Sequence, residues 1–181
     1  MLTLLDCFGA ERSGIAGSLF RKLWIEWPVK RAALVTTIST ASKEDIVKYA
    51  GCSPDKVRVI GVAISNQYKR VDKTFNAECP SLLQVGTSTN KNIERLAEAL
   101  VGLNCRLVVV GNLNASQLTA LQEYRIDFQN RSGLTQEELI QAYVDCDVVT
   151  FVSTFEGFGM PILEGNAVAQ PGVTSTCGSM A

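Results

Sequence analysis

A buried strand followed by a glycine-rich turn and a helix is the feature that most constrains the fold of this chain. Residues 148–152 are β-branched or aromatic and show no polar alternation, which is typical of a strand covered on both faces. Gly157 and Gly159 allow backbone shapes and close approaches that side chains block. Pro161 suits the first position of a helix, where its missing N–H needs no partner. The sequence therefore predicts the order strand, glycine turn, helix.

A helix that begins at the carboxyl end of a parallel strand presents free N–H groups, and about half a positive charge, to an anion such as phosphate. Two carboxylates bracket the turn: Glu156 precedes the glycines, and Glu164 lies about one turn inside the helix. Carboxylates repel phosphate but accept hydrogen bonds from sugar hydroxyls. The turn thus suggests a ligand with both phosphate and sugar, and the alternative is an ordinary Gly-Pro turn with two solvated glutamates.

The two glutamates, with seven residues between them, resemble the glutamate pair of family 4 glycosyltransferases, which have the GT-B fold. Inside the pair stands the run Gly157-Phe158-Gly159-Met160-Pro161. The resemblance implies that this segment binds a nucleotide-sugar donor in the carboxyl-terminal domain. It assigns Glu164 to the ribose hydroxyls and Glu156 to the transferred sugar, while the backbone N–H groups from Gly157 to Met160 face the diphosphate.

A polar loop, residues 86–92, stands between a predicted strand and a predicted helix. A lysine there can reach a diphosphate as a point charge, and hydroxyls can add donors, although a solvated lysine is the alternative. By resemblance, Lys91 takes the place of the lysine in a basic pair that grips the donor diphosphate. The arginine of that pair is missing, and Asn90 or Thr87 stands near its place. Gly86 opens the loop, and we count all four residues as donor-binding.

The resemblance implies a retaining hexosyltransferase with Glu156 and Lys91 as its catalytic residues. The hexose, with mannose as one candidate, would pass from a nucleotide-diphosphate sugar to a hydroxyl of a saccharide or lipid-linked acceptor, as in polysaccharide biosynthesis. No metal or other cofactor is expected. A non-catalytic nucleotide-sugar-binding or interaction module is the alternative, since the arginine is missing and Leu5 stands where the family often has a histidine. A nicotinamide-binding domain is disfavoured because no G-x-G-x-x-G follows an early strand.

Composition excludes several other classes. Histidine is absent, which removes the usual general base and the commonest metal ligand. The six cysteines form no C-x-x-C pair, so reduced thiols are expected. A net charge of −1 gives no reason to expect nucleic acid. Asp145-Cys146-Asp147 matches a metal-binding D-x-D motif, but it precedes a buried strand and so lies at the wrong end of it for a ligand.

Alternating strands and helices predict an α/β fold with a doubly wound parallel sheet. Thr135 and Glu138 match a capping box at the start of one helix. The predicted strands cover residues 34–38, 57–60, 81–85, 107–110, 126–128, 148–152 and the surroundings of Val173. The predicted helices cover residues 15–27, 42–49, 93–101 and 116–124, and two more begin near Thr135 and Pro161.

The resemblance divides the chain into residues 1–65, the tail of an amino-terminal acceptor-side domain, a linker over residues 66–80, and a donor-binding domain over residues 81–181. This last domain is expected to be incomplete at its carboxyl end, and the fragment to be weakly active or inactive alone.

The first helix carries an apolar stripe with basic residues between its members, and Pro28 is expected to end it. The stripe consists of Ile15, Leu19, Phe20, Leu23, Trp24 and Trp27. Such a helix can lie on a membrane surface, but packing in the core is the expected explanation. No signal peptide or membrane-spanning stretch is evident, so a cytoplasmic protein is expected.

Overall fold

The computed structural model describes residues 1–7, 9–10, 13–177 and 180 of the chain. In this part of the chain, strands form two parallel sheets. The strands are β1 (Leu2–Thr3), β2 (Val35–Thr37), β3 (Val57–Val59), β4 (Ser81–Val85), β5 (Arg106–Val110), β6 (Phe128–Arg131), β7 (Val148–Phe151) and β8 (Gly172–Thr174). The helices are α1 (Gly14–Phe20), α2 (Trp27–Arg31), α3 (Thr40–Ala50), α4 (Ile93–Ala99), α5 (Ala115–Glu123), α6 (Gln136–Asp145) and α7 (Met160–Ala167), with a π-helical segment at Arg21–Glu26.

The described residues fall into two compact units. The first contains Met1–Ala63, the short segment Phe155–Phe158 and the described residues from Thr176 onward. The second contains Ile64–Thr154 and Gly159–Ser175. The chain therefore passes between the units twice within the motif that joins β7 to α7.

The first unit is built on a parallel sheet in the order β1-β2-β3. All three residues of β2 are buried, and α3 follows it with Ser39 as its N-cap and Gly51, in the left-handed conformation, as its C-cap. Ile25, Val29, Val35 and Ile46 belong to its apolar core.

The first helical region differs from the sequence prediction in two ways. Pro28 does not end it, because helical residues continue to Arg31. The π-helical segment before Pro28 explains this, since Trp27 donates to the carbonyl of Lys22, and the wider turn relieves the clash of a proline ring with the preceding turn. The boundary expected at Pro28 is therefore wrong.

The apolar stripe of this region is mostly exposed, although it was expected to pack in the core. Ile15 is 90% exposed and Trp24 67% exposed, and Leu19, Leu23 and Trp27 are exposed as well. The inward face is formed instead by Gly17, Ile25 and Val29, of which Ile25 is only 4% exposed. The π-helical segment at Arg21–Glu26 has more residues per turn than an α-helix, so a stripe drawn at α-helical spacing does not stay on one face. The prediction that the stripe packs in the core is therefore wrong for these five residues, whereas Phe20, the sixth, is partly buried and packs against the core.

The second unit contains the doubly wound sheet, in the order β6-β5-β4-β7-β8 with all neighbours parallel. Leu82, Leu107 and Val109 join residues of α4 and α5 in one apolar cluster. Leu83 and Val149 join residues of α6 and α7 in another. Because successive strand residues face opposite sides, these clusters cover the two faces of one sheet, which confirms the predicted fold class.

The predicted elements of the second unit match the structure closely except at one edge. The strand expected over residues 126–128 is β6, which runs from Phe128 to Arg131. Ile126 instead hydrogen-bonds back to Leu121 at the end of α5. Because β6 is an edge strand, its central residues Gln129 and Asn130 are exposed and give no apolar signal.

Candidate functional site

The sheet of the second unit has a topological switch point between β4 and β7. The chain winds from β4 to β5 and β6 on one side, then returns to place β7 and β8 on the other. Ligands of such sheets bind outside the carboxyl ends of the strands at this point. Both segments singled out in the sequence, the loop after β4 and the motif after β7, begin there.

Hydrogen bonds join these two segments. The N–H of Thr154 donates to the carbonyl of Asn90 at 2.8 Å. The amide of Asn92 donates to the carbonyl of Val152 at 3.2 Å. Asn92 is the N-cap of α4 and has a left-handed backbone conformation, with φ 59. Its side chain connects the two loops through the hydrogen bond to Val152. Sequence reasoning assigned no role to Thr154 or to Asn92.

Lys91 reaches from the β4 loop to the end of β7. Its ammonium nitrogen lies 4.4 Å from the centroid of the ring of Phe151, the buried last residue of β7. Such a cation–π contact holds the charge without removing its capacity to bind an anion. Lys91 therefore lies at the carboxyl end of β7, and its role in binding the donor diphosphate stays a prediction.

Gly86 leaves room for the side chain of Lys91. It has φ +90, and a Cβ built on it would lie 2.8 Å from Cε of Lys91. The lysine stem thus crosses the space that a larger residue would fill. Glycine suits the left-handed backbone here, and it leaves the Lys91 side chain in this position.

Two other predicted donor-binding residues make hydrogen bonds within the second unit. The hydroxyl of Thr87 donates to the carbonyl of Asn112 at 2.8 Å. The side-chain carbonyl of Asn90 accepts from the hydroxyl of Ser88 at 2.6 Å. Since a hydroxyl has one proton to donate, Thr87 in this arrangement offers a phosphate only its backbone N–H.

The motif after β7 is divided between the units. Glu156, Gly157 and Phe158 belong to the first unit, where Gly157 is buried. A Cβ on Gly157 would lie 3.1 Å from Cβ of Asp6 and 3.2 Å from the carbonyl of Leu5. Its carbonyl accepts a hydrogen bond from the Ser42 hydroxyl at 3.2 Å. Gly157 is therefore needed for close packing against Asp6 and the backbone of Leu5.

In the second unit, α7 begins at Met160, with Gly159 as its N-cap and Pro161 in its first turn. Gly159 has φ 110, a conformation that favours glycine. A built Cβ on Gly165 would lie 2.6 Å from a methyl group of Val149, so this glycine lets α7 pack closely on β7. The predicted strand, turn and helix are all present, although the helix begins one residue before Pro161.

Glu164 lies one turn into α7 and is half-buried. Its Oε2 accepts a hydrogen bond of 2.6 Å from the phenol of Tyr143 on α6. The structure therefore places Lys91, Met160 and Glu164 in one unit. The grouping of Glu156 and Phe158 with them stays a prediction.

The D-x-D sequence has a structural role, as expected. Asp145 ends α6, and Asp147 precedes β7 with 2% of its surface exposed. Asp147 accepts hydrogen bonds from the N–H of Ser81 at 2.8 Å and of Asn76 at 3.2 Å, and pairs with the Lys73 ammonium at 2.9 Å. In the described residues, no group of three or more cysteine, aspartate or glutamate side chains is arranged to hold a metal ion.

The buried cysteines Cys7 and Cys146 are not reactive nucleophiles. All six are free thiols. Burial, together with Asp45 and Asp6, raises the pKa of Cys7 to about 12, and burial chiefly raises that of Cys146 to about 12. A thiol with so high a pKa stays protonated and unreactive at neutral pH.

Comparison with known proteins identifies the family. The model of the family described as glycosyl transferases group 1 matches residues 79–181, more than half of the chain. The chain belongs to the group 1 glycosyl transferases. A search of curated protein sequences gives no significant match.

Solved structures of glycosyltransferases share the fold. WaaG, a glycosyltransferase involved in lipopolysaccharide biosynthesis, superposes with a TM-score of 0.77 at 18% identity, over 98% of this chain and 57% of that one. Anabaena HepE in complex with UDP-glucose gives 0.78 at 17% identity, over 99% and 54%. Sucrose-phosphate synthase from Thermosynechococcus elongatus gives 0.76 at 20% identity, over 97% and 47%.

This group 1 glycosyl transferase chain thus has a GT-B architecture and spans about half the length of the structures it matches. None of its helices within the described residues is long and apolar enough to cross a membrane.

Proposed function

We propose that the second unit is the donor half-site of a retaining transferase that moves a hexose from a nucleotide-diphosphate sugar to an acceptor hydroxyl. The observation that carries the proposal is the position of the Lys91 ammonium over Phe151, at the end of the strand that leads into α7. A cation and a helix N-terminus at one switch point form an electrostatic site for a diphosphate.

In this proposal, Lys91 and the N–H groups at the start of α7 stabilise the charge that develops on the departing nucleoside diphosphate. Glu164 accepts hydrogen bonds from the ribose hydroxyls. No metal ion or other cofactor is required, because the cation and the helix supply the positive charge. The complexes of HepE with UDP and with UDP-glucose support a nucleotide-sugar donor.

The acceptor side of the proposal rests on the first unit. Glu156 would contact the transferred sugar, and attack from the leaving-group face would retain the anomeric configuration. Mannose is one candidate for the hexose, and the acceptor would be a saccharide or a lipid-linked sugar. We assign residues 1–65 to the acceptor-side domain, 66–80 to the linker and 81–181 to the donor domain.

Calorimetric titration of the 181-residue chain with UDP, GDP, ADP and NAD tests the donor site. We expect one nucleoside diphosphate to bind, and binding of NAD alone would refute the proposal.

Lys91→Ala should weaken that binding by about 1.5 to 3 kcal/mol, the range for a hydrogen bond to a charged group. Lys69→Ala, which removes an exposed lysine of the same unit, is the matched control and should bind as the parent does. Equal affinity in the two variants would show that Lys91 does not contact the diphosphate.

A non-catalytic nucleotide-sugar-binding module is the second candidate. Two observations favour it: the side chains of Thr87 and Asn90, near the place of the missing arginine, are engaged in local hydrogen bonds, and Leu5 stands at the histidine position. Binding of a nucleotide sugar without transfer by the complete protein would support this candidate.

A further inference from the structure

The carboxylate of Glu164 is held by a side chain that the sequence analysis did not single out. Tyr143 lies near the end of α6, is fully buried, and donates its phenol proton to Oε2 of Glu164 at 2.6 Å. Oxygen atoms at this separation form a strong, charge-assisted hydrogen bond. A half-buried carboxylate thus has a fixed partner 21 residues earlier in the chain.

Tyr143 can act only as a donor in this pair. Burial is the main cause that raises the pKa of its phenol, and the hydrogen bond to Glu164 and the charge of Glu164 raise it further. The phenol therefore keeps its proton throughout the neutral range. Because the phenol keeps its proton, Tyr143 is the donor of this hydrogen bond and Glu164 is the acceptor.

The ring of Tyr143 is itself held in place. Tyr68, buried in the segment before β4, packs edge-on against it with ring centroids 5.8 Å apart and an angle of 72°. The amide of Gln136, the first residue of α6, donates to the Tyr68 phenol at 3.1 Å. Burial and the charge of Glu164 raise the pKa of Tyr68 to about 12. Two neutral phenols therefore surround the carboxylate within the second unit.

We propose that Tyr143 is a positioning residue that orients Glu164 toward the ribose of the bound nucleotide and thereby sets the preference for a ribose with free hydroxyls. The inference rests on the proposed function. A carboxylate offers about four lone-pair positions on two oxygens, and a hydrogen bond to one oxygen fixes how the others point. A carboxylate that can rotate would lose part of its contact with two adjacent hydroxyls.

The test compares UDP with 2′,3′-dideoxy-UDP, or the matched pair of whichever nucleoside diphosphate binds best, in the parent chain and in Tyr143→Phe. Phenylalanine keeps the ring against Tyr68 and removes only the donor. We expect the affinity of the variant for UDP to fall about tenfold, while its affinity for the dideoxy nucleotide stays within about twofold. Discrimination between the two nucleotides would then largely disappear.

Two further variants complete the test, one as a control and one as an independent measurement. Tyr124→Phe removes a phenol from the partly exposed end of α5 and should leave the discrimination unchanged. Glu164→Gln should reduce the discrimination without any change at Tyr143, and it serves if Tyr143→Phe does not fold.

An equal loss of affinity for both nucleotides in Tyr143→Phe, or no loss, would overturn the inference while leaving the donor site intact. Full discrimination in Glu164→Gln would overturn it as well. Failure of the parent chain to bind any nucleoside diphosphate would instead refute the proposed function and the inference together.

Discussion

Three glycines at the candidate site serve two physical needs. Gly159 has a positive φ at the N-cap of α7, and Gly157 allows close packing against Asp6. Gly86 combines both needs, because it has a positive φ and lies under the stem of Lys91. A glycine in a motif is therefore informative only once its surroundings are known.

Gly86→Ala should separate the effect of backbone strain from the loss of the lysine position. We expect a loss of stability of about 1 kcal/mol from the left-handed backbone, together with weaker nucleotide binding because the new methyl group displaces Lys91. Gly102→Ala is the control, since Gly102 has φ +80 and no atom within 4 Å of a built Cβ. Chemical denaturation should show comparable losses of stability in both variants. Calorimetry should show weaker nucleotide binding in Gly86→Ala alone. Unchanged binding by Gly86→Ala would contradict the argument.

Asp147 should contribute to stability in a pH-dependent way. Its burial alone would raise the pKa of the carboxyl, but the N–H of Ser81, the Lys73 ammonium and the N–H of Asn76 lower it below the ordinary value. The stabilisation is therefore complete above about pH 4 and is lost as the pH falls through the lower pKa of the folded state.

Asp147→Ala should cost about 2 to 3 kcal/mol at pH 7, because buried donors lose their acceptor. Urea denaturation between pH 7 and pH 3 measures both effects, and the variant should lose less stability on acidification than the parent. Asp127→Ala, which breaks an exposed pair with Arg106, should cost much less, because solvent screens that pair. Parallel pH profiles in the parent chain and in Asp147→Ala would count against this role.

At the scale of elements, the helical region from Gly14 to Arg31 shows how a correct helix prediction can assign the wrong face. The helix is present, but the face with the largest apolar residues is exposed, while Ile25 and Val29 are buried. The exposed stripe has Lys22, Lys30 and Arg31 beside it, and contact with a membrane surface stays the less favoured alternative for this helix.

Substitutions on the two faces should differ in their cost. Ile25→Ala removes a buried side chain and should lower the free energy of unfolding by about 2 to 4 kcal/mol. Trp24→Ala removes a larger but mostly exposed side chain and should change it by less than about 1 kcal/mol. Denaturant unfolding of both variants provides the comparison, and a larger loss in Trp24→Ala would show that the tryptophan face is the packed one.

At the scale of the molecule, the chain consists of two units, each built on a parallel sheet. It spans about half the length of the glycosyltransferase structures it matches. The second unit has a sheet with a switch point and both candidate loops. The first unit contributes a three-stranded sheet and the residues around Gly157.

The 181-residue chain should bind nucleotide but transfer little or no sugar, because closure of two complete domains assembles such sites. A product assay with UDP-, GDP- and ADP-sugars, run beside the calorimetric titration, measures the two properties separately. Sustained turnover by the purified chain would show that the acceptor-side residues present here are sufficient.

The sequence by itself determined the parallel α/β class, the approximate boundaries of most elements and the order strand, turn, helix of the motif, because these depend on local signals. The capping box of Thr135 and Glu138 is an example, and both of its hydrogen bonds are present in the structure. Only the tertiary structure decided which helix face is buried, that Lys91 lies over Phe151, and that Tyr143 holds Glu164. These contacts join residues that are far apart along the chain and meet only because the sheet places β4 beside β7 and packs α6 and α7 on the same face.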